Sequence, residues 1–479
     1  MTALGLIING ERVLTDACFD VINPATEELV AQCPLGKPEH VDLAVAAARA
    51  AFESWSQTSE EARKAAIHCI ADLLEQHSAE LAGIVTEEQG KPLEGFAGLG
   101  AGYELGGSVA WCRATADMVL PVKVLQDDET LRVELRRKPL GVVGSITPWN
   151  WPLLIAIWHV IPAIRTGNTV VIKPSPYTPL ATMRFVELAN QVLPPGVLNI
   201  VTGQDDIGPV MTRHTGIDKI VFTGSTRTGR HIMQSAAGNL KRLTLELGGN
   251  DAGIVLPDVD VEAVAPAIFA TAFINSGQTC AALKRLYVHE RIYDDMCEAL
   301  KNIAAGVTVG NGLDKGVDFG PVQNRAQLKV VTELADDAKQ QGARFITGGQ
   351  SPGGPGFFYP ITLVADISDG CRLVDEEPFG PILPIIKYSD LEDVIARAND
   401  NPSGLGGSIW SSDIQRASEL ANRLACGSVW INNHAAVQPN VPFGGVKQSG
   451  FGVEFSTEGL EEYTSIQSVF IPKSEESAS

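Results

Sequence analysis

The sequence has 479 residues, of which 44% are apolar and 20% are charged, and its formal net charge at pH 7 is −20. This length predicts about three domains of ~150 residues, and the composition is typical of a globular protein. Because the acidic residues are spread along the chain, the charge argues against nucleic acid or an anionic membrane surface as a partner, since both attract basic proteins.

The amino-terminal stretch MTALGLIING contains no basic residue and no long apolar run, which argues against a secretory or transit peptide. The longest apolar stretch, WPLLIAIWHVIPAI, contains His159 and Pro162 and is too short to span a bilayer. Eight cysteines without a C-x-x-C pair favour reduced thiols over disulfides, and neither they nor the histidines show the spacing of a metal site. We expect a cytoplasmic protein without a metal.

The first predicted helix is PEHVDLAVAAARAAFESW, in which Val41, Val45, Ala48 and Phe52 recur at helical spacing. A second helical pattern covers residues 59–90 and opens on a serine followed by acidic residues. Short β-rich runs follow, separated by stretches compatible with helices, from LRVELRRKPLGVVGSITP to LTLELGG. This alternation predicts βαβ units with a mostly parallel sheet, and its return between DAGIVLPDVD and GSVWINN predicts a second α/β domain.

A glycine-bearing turn follows the β-rich run DKIVFTGS and leads into the predicted helix of GSTRTGRHIMQSAAG. Gly224 and Gly229 would let backbone N–H groups approach a pyrophosphate at the amino terminus of that helix. The same spacing is also common in tight strand-to-helix connections, so the motif alone leaves both interpretations open.

Three further residues could carry chemistry. Asn150 in TPWNWP could donate to an oxyanion or bond its own turn, and Glu246 in ELGGN could face a cleft or solvent. Cys280 in GQTC follows a loop-like stretch, but a free cysteine is usually a small buried hydrophobe unless an exposed, anion-stabilising setting activates it. Taken singly, Asn150 and Glu246 favour the structural interpretation, and Cys280 leaves both interpretations open.

The motifs TPWNWP, VIKPS, FTGSTRTG, LELGGN, GQTC, EEPFGPI and PFGGVKQSG occur together and in this order. This set resembles the NAD(P)-dependent aldehyde dehydrogenase superfamily over nearly the whole chain. The resemblance implies an α/β fold with a Rossmann-like cofactor domain, an α/β catalytic domain and a small β oligomerisation flap. The implied limits are 1–120 and 138–249, 250–448, and 121–137 with the C-terminal segment 449–479. Pairing through the flap edges implies a homodimer or homotetramer.

The resemblance also implies the catalytic roles. Cys280 matches the nucleophile that attacks the aldehyde, and Asn150, together with the Cys280 backbone N–H, would hold the thiohemiacetal oxyanion. Glu246 matches the general base that activates water to hydrolyse the thioester. Members that pass the acyl group to coenzyme A lack this glutamate, so its presence favours the hydrolytic branch. A non-catalytic binder with the same fold is the other alternative, but it would need none of the three residues.

The cofactor implied by the resemblance is NAD or NADP. Lys173 would bond the adenine ribose, Ser225 the pyrophosphate and Glu377 the nicotinamide ribose. The other residues that the resemblance implies for the cofactor cleft are Ile146, Trp149, Gly224, Gly229, Leu247 and Phe379.

Two departures from the family pattern concern the cofactor and the proton. Pro176 stands where NAD-preferring relatives carry a glutamate, and Arg227 could attract a 2′-phosphate, so we predict use of both NADP and NAD. Several relatives have a lysine at the position of His159 and a glutamate at that of Ser465, forming a proton relay. Here both differ, so the proton of Glu246 must leave by water or another route, in which His159 could take part or be purely structural.

The substrate pocket is the third departure. Ala435 and Val437 stand where relatives often carry bulkier or charged residues, and Trp151, Ile155 and Trp158 are expected to face the same space. Small, apolar linings suit an apolar aliphatic or aromatic aldehyde. A semialdehyde of the succinic type is the alternative, although no arginine pair for its carboxylate is evident.

Overall fold

The computed structural model describes residues 4–473; residues 1–3 of the predicted cofactor domain and 474–479 of the predicted C-terminal segment lie outside the described residues. The strands are β1 Leu6–Ile8, β2 Glu11–Val13, β3 Cys18–Ile22, β4 Leu29–Pro34, β5 Lys123–Asp127, β6 Leu131–Pro139, β7 Val142–Ile146, β8 Thr169–Lys173, β9 Leu198–Ile200, β10 Lys219–Thr223, β11 Arg242–Glu246, β12 Asp251–Val255, β13 Leu283–His289, β14 Arg344–Thr347, β15 Thr362–Ile367, β16 Ile382–Tyr388, β17 Ser403–Gly404, β18 Gly406–Trp410, β19 Ser428–Ile431, β20 Val446–Lys447, β21 Gly450–Phe451 and β22 Thr464–Pro472. The helices are α1 Pro38–Trp55, α2 Glu60–Gln76, α3 Ser78–Gln89, α4 Ala101–Asp117, α5 Pro152–Arg165, α6 Leu180–Ala189, α7 Ile207–Arg213, α8 Thr226–Ala236, α9 Val261–Phe273, α10 Tyr293–Ala305, α11 Arg325–Gln340, α12 Arg372–Asp375, α13 Leu391–Asn399, α14 Ile414–Ala421 and α15 Ser456–Glu461.

The first large sheet has eight strands in the order β2-β1-β9-β8-β7-β10-β11-β21. Its five central strands, β9-β8-β7-β10-β11, are parallel. Strands β7, β8 and β10 are buried along their whole length, as expected for a parallel sheet covered on both faces. The chain order reverses between β7 and β10, and such a switch point is where open α/β sheets bind ligands at the carboxyl ends of their strands.

The second large sheet has seven strands in the order β14-β15-β16-β13-β12-β18-β19. All neighbouring strands are parallel except the edge strand β14. Helices alternate with the strands of both sheets. The predicted α/β class and mostly parallel pairing are therefore confirmed.

A separate three-stranded antiparallel sheet has the order β22-β6-β5. Strand β22 pairs with β6 from Thr464 opposite Pro139 to Pro472 opposite Leu131. Strand β6 thus continues to Pro139, beyond the flap limit predicted at residue 137. The chain then turns into β7 through Gly141, whose φ of +136° and close contact with Asp218 leave no room for a side chain. The domain limits and the oligomerisation role of this sheet stay predictions.

The helical pattern predicted over residues 59–90 forms two helices, α2 and α3, rather than one. Ser59 caps α2 by accepting from Ala62 N. His77 ends it with φ −99° and ψ 14°, and its Nδ1 atom lies 2.7 Å from Glu80 Oε2 in the first turn of α3. Periodicity alone does not reveal this local break, because the apolar spacing resumes directly afterwards.

Helix α5 contains the longest apolar stretch of the sequence, and it is buried within the largest hydrophobic core. Its carboxyl-terminal half contains Pro162. No helix within residues 4–473 is long and apolar enough to cross a membrane.

Candidate active site

The loop before Cys280 turns in the left-handed direction. A 3₁₀ turn, Ile274–Gly277, contains Asn275 at φ 52°, Ser276 at φ 55° and Gly277 at φ 73°. Left-handed backbone costs a residue with a side chain about 1–2 kcal/mol. Strain of this kind persists where the surrounding structure fixes the loop, which is common at functional sites.

Contacts from two other segments hold the turn in place. Asn275 Nδ2 donates to the carbonyl oxygen of Asn150 at 2.8 Å. A side chain at Gly277 would overlap the carbonyl of Gly380, so the loop that contains Cys280 and the loop of EEPFGPI lie in direct contact. The predicted nucleophile is thus fixed against both the Asn150 turn and the segment predicted to bind the nicotinamide ribose.

Asn150 is buried beside the Cys280 loop, at 3% exposure. Its side-chain Nδ2 donates to the carbonyl of Gln278 at 3.0 Å, and its own carbonyl accepts from Lys91 Nζ at 2.9 Å. An amide group has two N–H donors, so one stays available for a ligand oxygen. This geometry allows the predicted oxyanion contact.

Lys91 and Glu104 form a fully buried ion pair beneath Asn150, with Nζ and Oε2 at 2.6 Å. The other carboxylate oxygen of Glu104 accepts from the backbone N–H groups of Leu153 and Leu154, in the first turn of α5. A carboxylate at a helix amino terminus is stabilised by the helix dipole. Sequence reasoning missed this pair, because neither residue belongs to a motif that signals burial.

Glu246 ends β11 with its side chain buried, and neither carboxylate oxygen has a hydrogen-bond partner within residues 4–473. Its pKa is raised well above the usual value, first because burial removes solvent and second because Glu454 is a nearby like charge. The Gly445 N–H opposes this weakly, in a geometry that falls short of a hydrogen bond. A buried, unpartnered carboxyl suits a base that takes a proton from water.

The assignment of Ser465 to the second position of the proton relay is wrong. Ser465 lies on β22 opposite Lys138, in the three-stranded sheet. The acid beside His159 is instead Glu454, with Nε2 and Oε1 3.2 Å apart and both side chains buried. His159 also contacts Ser145 Oγ at 3.0 Å and Thr223 Oγ1 at 2.9 Å. The family resemblance places the relay's second position at Ser465, where this chain has no acid, and only the fold shows that Glu454 is the acid close to His159.

The thiol of Cys280 is only partly exposed. Burial raises its pKa to about 12, and the largest opposing influence is the ammonium of Lys284. Lys284 also forms an ion pair with Glu377, its Nζ atom lying 2.9 Å from Oε1. In the absence of ligands the thiol is therefore protonated at neutral pH.

A cleft of about 870 Å³ opens at the switch point between β7 and β10. Its wall includes Ile146, Trp149, Lys173, Gly224 and Ser225 from the predicted cofactor set. Gly224 leaves no space for a side chain against the ring of Phe222, so the backbone itself faces the cleft. The cleft also contains Pro176 and Arg227.

The residues present fit a dinucleotide. Lys173 is 4% exposed, and its Nζ donates only to the Pro174 carbonyl, at 3.2 Å, among the described residues. Burial lowers its pKa to about 8, so a polar ligand that bonds Nζ would satisfy a poorly partnered cation. Ser225 Oγ accepts from Thr228 N at 3.3 Å and caps α8, whose amino terminus favours phosphate.

The other predicted cofactor residues lie around this cleft rather than in its wall. Gly229 packs against Leu247, and a side chain at Gly229 would come within 2.6 Å of the Leu247 methyl carbon. This contact brings α8 close to the end of β11. The rings of Phe379 and Trp149 meet edge to face at 5.3 Å, which links the EEPFGPI loop to the cleft.

A second cavity, of about 360 Å³, reaches Cys280 from the other side. It brings together all five residues predicted to bind substrate, which are Trp151, Ile155, Trp158, Ala435 and Val437. None of its lining residues is charged. Sequence reasoning missed the residues that α4 and a later loop contribute, namely Tyr103, Gly106, Gly107, Ala110, Trp111 and Phe443.

Among residues 4–473, no group of three or more His, Cys, Asp or Glu side chains could hold a metal ion. The geometry thus joins one thiol in the lining of the second cavity with one buried amide bonded to its loop and one buried carboxyl whose charge acts on it. These residue types suit covalent catalysis followed by hydrolysis.

Comparison with known proteins agrees with this geometry. Residues 13–469 match the model of the aldehyde dehydrogenase family. The chain is 41% identical to a probable aldehyde dehydrogenase of Pseudomonas sp, over 98% of this chain and 95% of that protein. It is 39% identical to phenylacetaldehyde dehydrogenase of Pseudomonas fluorescens, over 97% and 95%.

Solved structures are similar over the same extent. The NAD+ complex of an aldehyde dehydrogenase from Bacillus cereus superposes with a TM-score of 0.95 at 35% identity, covering 98% of this chain and 96% of that one. Betaine aldehyde dehydrogenase from Staphylococcus aureus, also in complex with NAD+, gives 0.94 at 34% identity over 98% and 95%. The chain therefore belongs to the aldehyde dehydrogenase family and is an NAD(P)-dependent aldehyde dehydrogenase.

Proposed function

We propose that the enzyme oxidises apolar aldehydes, aromatic ones above all, to carboxylic acids. The observation that carries this proposal is the cavity of about 360 Å³ that ends at Cys280 and has no charged residue in its lining. A semialdehyde of the succinic type would bury its carboxylate in this lining without a cation to pair it, which is costly. The similarity to phenylacetaldehyde dehydrogenase supports the same substrate class.

Four aromatic side chains give the cavity a shape suited to a ring. Tyr103 and Trp151 meet at 6.1 Å, and Trp111 and Trp158 at 5.6 Å between ring centroids. Ring pairs at these distances attract through their edges and faces. A phenyl group on the substrate can make the same contacts.

In the proposed mechanism the Cys280 thiol first gives up its proton to solvent water, and the resulting thiolate attacks the aldehyde carbon and forms a thiohemiacetal. One N–H of the Asn150 amide and the backbone N–H of Cys280 hold the resulting oxyanion. NAD(P)+, when bound, supplies the hydride acceptor. As the oxyanion collapses, the carbon–hydrogen bond breaks and Cys280 carries the acyl group as a thioester.

Glu246 then takes a proton from a water molecule that attacks the thioester carbon. The carbon–sulfur bond breaks, the carboxylic acid leaves and the Cys280 thiolate is regenerated. The buried pair of Glu454 and His159 offers a polar route by which the proton can leave Glu246. Because Glu246 is the base, these steps belong to the hydrolytic branch.

We also propose that the enzyme accepts both NADP and NAD, and that it forms dimers or tetramers. The wall of the cleft contains Pro176, where NAD-preferring relatives carry a glutamate, so it has one carboxylate fewer near the ribose site. Arg227 in the same wall adds one cation.

The three-stranded sheet exposes Leu125, Ile466 and Phe470, at 52%, 59% and 66%, and apolar edges of this kind favour self-association. All eight cysteines are unpaired, which supports a cytoplasmic location. Light scattering of the purified protein measures the assembly.

The test is the formation of reduced cofactor with aliphatic, aromatic and carboxylated aldehydes, each with NAD and NADP, beside Cys280→Ala. We expect the highest kcat/KM for aromatic aldehydes and no turnover in the variant. A preference for carboxylated aldehydes would contradict the proposed substrate class, and Cys280-independent turnover would contradict the mechanism.

A further inference from the structure

Lys284 is a buried ammonium that lies between the Cys280 loop and the cofactor side of the site. It is the second residue of β13 and is 2% exposed. Its Nζ atom donates to the carbonyl oxygen of Cys280 and lies 2.9 Å from Glu377 Oε1. A buried ammonium is costly unless it is paired, so these two groups are what hold it there.

One oxygen of Glu377 is fully engaged by this arrangement. Oε1 takes the Lys284 ion pair and also accepts from Gly249 N at 3.2 Å. The other oxygen, Oε2, approaches Gly248 so closely that a side chain there would overlap it. Oε2 makes no hydrogen bond within the described part of the chain, so it is free to bond a ligand hydroxyl. The carboxylate is thus held in one orientation with one oxygen available.

Several charged groups act on the thiol of Cys280, although none of them lines its cavity. Glu246 on β11, Glu377 before β16 and Asp251 on β12 all raise its pKa, in addition to burial. Lys284 on β13 opposes them. The ammonium that orients Glu377 therefore also acts on the Cys280 thiol, because it is hydrogen-bonded to the carbonyl oxygen of the same residue.

We propose that Lys284 is a positioning residue that fixes the Cys280 backbone and the Glu377 carboxylate at the same time, and so couples the thiol to the cofactor ribose site. The proposal rests on the proposed roles of Cys280 and Glu377. A lysine that only fills space would hold neither group by charge, and its neutral replacement would leave the thiol and the cofactor site unchanged.

The experiment compares Lys284→Met with wild type in two measurements that need no turnover. The first is the pH dependence of Cys280 alkylation by iodoacetamide, followed by mass spectrometry of the Cys280 peptide. The second is NAD binding, followed by tryptophan fluorescence. We expect alkylation at pH 8 to slow ~10-fold and the Kd for NAD to rise ~5-fold or more, because the thiolate loses its cation and Glu377 its anchor.

Lys241→Met is the matched control. Lys241 is also buried and also bonds backbone carbonyls, those of His214 and Ile217, but it directly precedes β11 and contacts neither Cys280 nor Glu377. Its replacement removes a buried ammonium without touching either measured property. Equal effects in the two variants would overturn the proposal, as would alkylation and NAD binding within about twofold of wild type in Lys284→Met.

Glu377→Gln keeps the proposal falsifiable if Lys284→Met does not fold. This change removes a carboxylate that raises the Cys280 pKa while it leaves the ammonium in place. We expect faster alkylation at pH 8, which is the opposite of the effect expected for Lys284→Met. We also expect weaker NAD binding, as in Lys284→Met. An unchanged alkylation profile overturns the coupling. Failure of the proposed function is distinguishable, since it would appear as a wild-type protein that binds NAD but does not oxidise aldehydes.

Discussion

Nε2 of His159 and Oε1 of Glu454 lie 3.2 Å apart in the interior of the protein, and the charge of Glu454 acts on the general-base candidate Glu246. His159 therefore faces two hydroxyl groups and one carboxylate, all buried. This arrangement gives Glu246 an ionisable neighbour that is itself in contact with an imidazole. It also places an imidazole beside one of the two neighbouring carboxyls.

The first prediction concerns Glu454→Gln. Removing this like charge lowers the pKa of Glu246, so the base is deprotonated over a wider pH range. We expect the acidic limb of the kcat profile to move to lower pH, as measured by steady-state rates at saturating aldehyde between about pH 5 and pH 9. Glu458→Gln changes an exposed carboxylate in the same segment and should leave the limb in place. An unmoved limb in Glu454→Gln would show that the two carboxyls are not coupled.

Glu246→Gln separates the two halves of the reaction. Hydrolysis of the thioester should slow by ~10²–10⁴-fold, because the base is lost, while the first turnover still releases reduced cofactor. Rapid-mixing absorbance would then show a burst of about one equivalent followed by a slow phase. A variant without a burst would mean that Glu246 is also required before the thioester forms.

The same variant should be more stable than wild type at neutral pH. The folded-state pKa of Glu246 is above its unfolded value, so unfolding releases a proton and wild-type stability falls as pH rises above about 4.3. The neutral amide of the variant carries no such penalty, so the difference in Tm should grow between about pH 5 and pH 8. Differential scanning fluorimetry measures it, and a constant difference would contradict the raised pKa.

The motif residues of the site could be predicted from the sequence, but the charged residues that support them could not. Cys280, Asn150 and Glu246 belong to short motifs whose order along the chain is distinctive. Lys91 and Lys284 belong to no such motif, and a lysine is usually exposed. Their burial depends on carboxylates from other elements, Glu104 of α4 for Lys91 and Glu377 before β16 for Lys284, so only the packed fold reveals their roles.

In the fold, too, some features could be predicted from the sequence and others could not. Parallel sheets could be predicted, because β-branched runs alternating with helical stretches have few other arrangements. The break at His77 and the acid beside His159 could not, since the first depends on local backbone angles and the second on how α5 meets the segment before α15. The face that α4 presents to the substrate cavity was also missed, because its glycines give no periodic signal.

Asn150→Ala tests the oxyanion contact. Loss of one such donor typically lowers kcat by ~10²–10³-fold. We expect this loss with aromatic and aliphatic aldehydes alike, because the contact is made at the reacting oxygen. Asn199→Ala removes another buried amide, whose Nδ2 donates to Val170 and Gly196 carbonyls, and should leave kcat within about threefold. Equal losses in the two variants would assign the effect to packing.

Gly106→Leu tests the shape of the substrate cavity. Gly106 lines it from α4, and nothing lies within 4 Å of the position that a Cβ atom would take. A leucine side chain would fit the helix and fill the entrance, so we expect kcat/KM for phenylacetaldehyde to fall ~10-fold or more, with propanal little changed. Gly83→Leu in α3 has equal space but lies outside the cavity, and it should change neither substrate. A similar loss for both aldehydes would argue against a steric role of this position.

The last prediction concerns the two residues proposed to admit NADP. Pro176→Glu would put a carboxylate back into the wall of the cofactor cleft, where it can accept from a ribose 2′-hydroxyl but repels a 2′-phosphate. We expect kcat/KM for NADP to fall by ~10-fold or more while that for NAD is unchanged or higher. Arg227→Ala should lower only the NADP value, since the exposed guanidinium is proposed to pair with the phosphate. Because a screened pair is weak, the NADP loss in Arg227→Ala should shrink as salt is raised from about 0.05 to 0.5 M. Parallel changes for both cofactors in either variant would mean that Pro176 and Arg227 shape the cleft without distinguishing the 2′-phosphate.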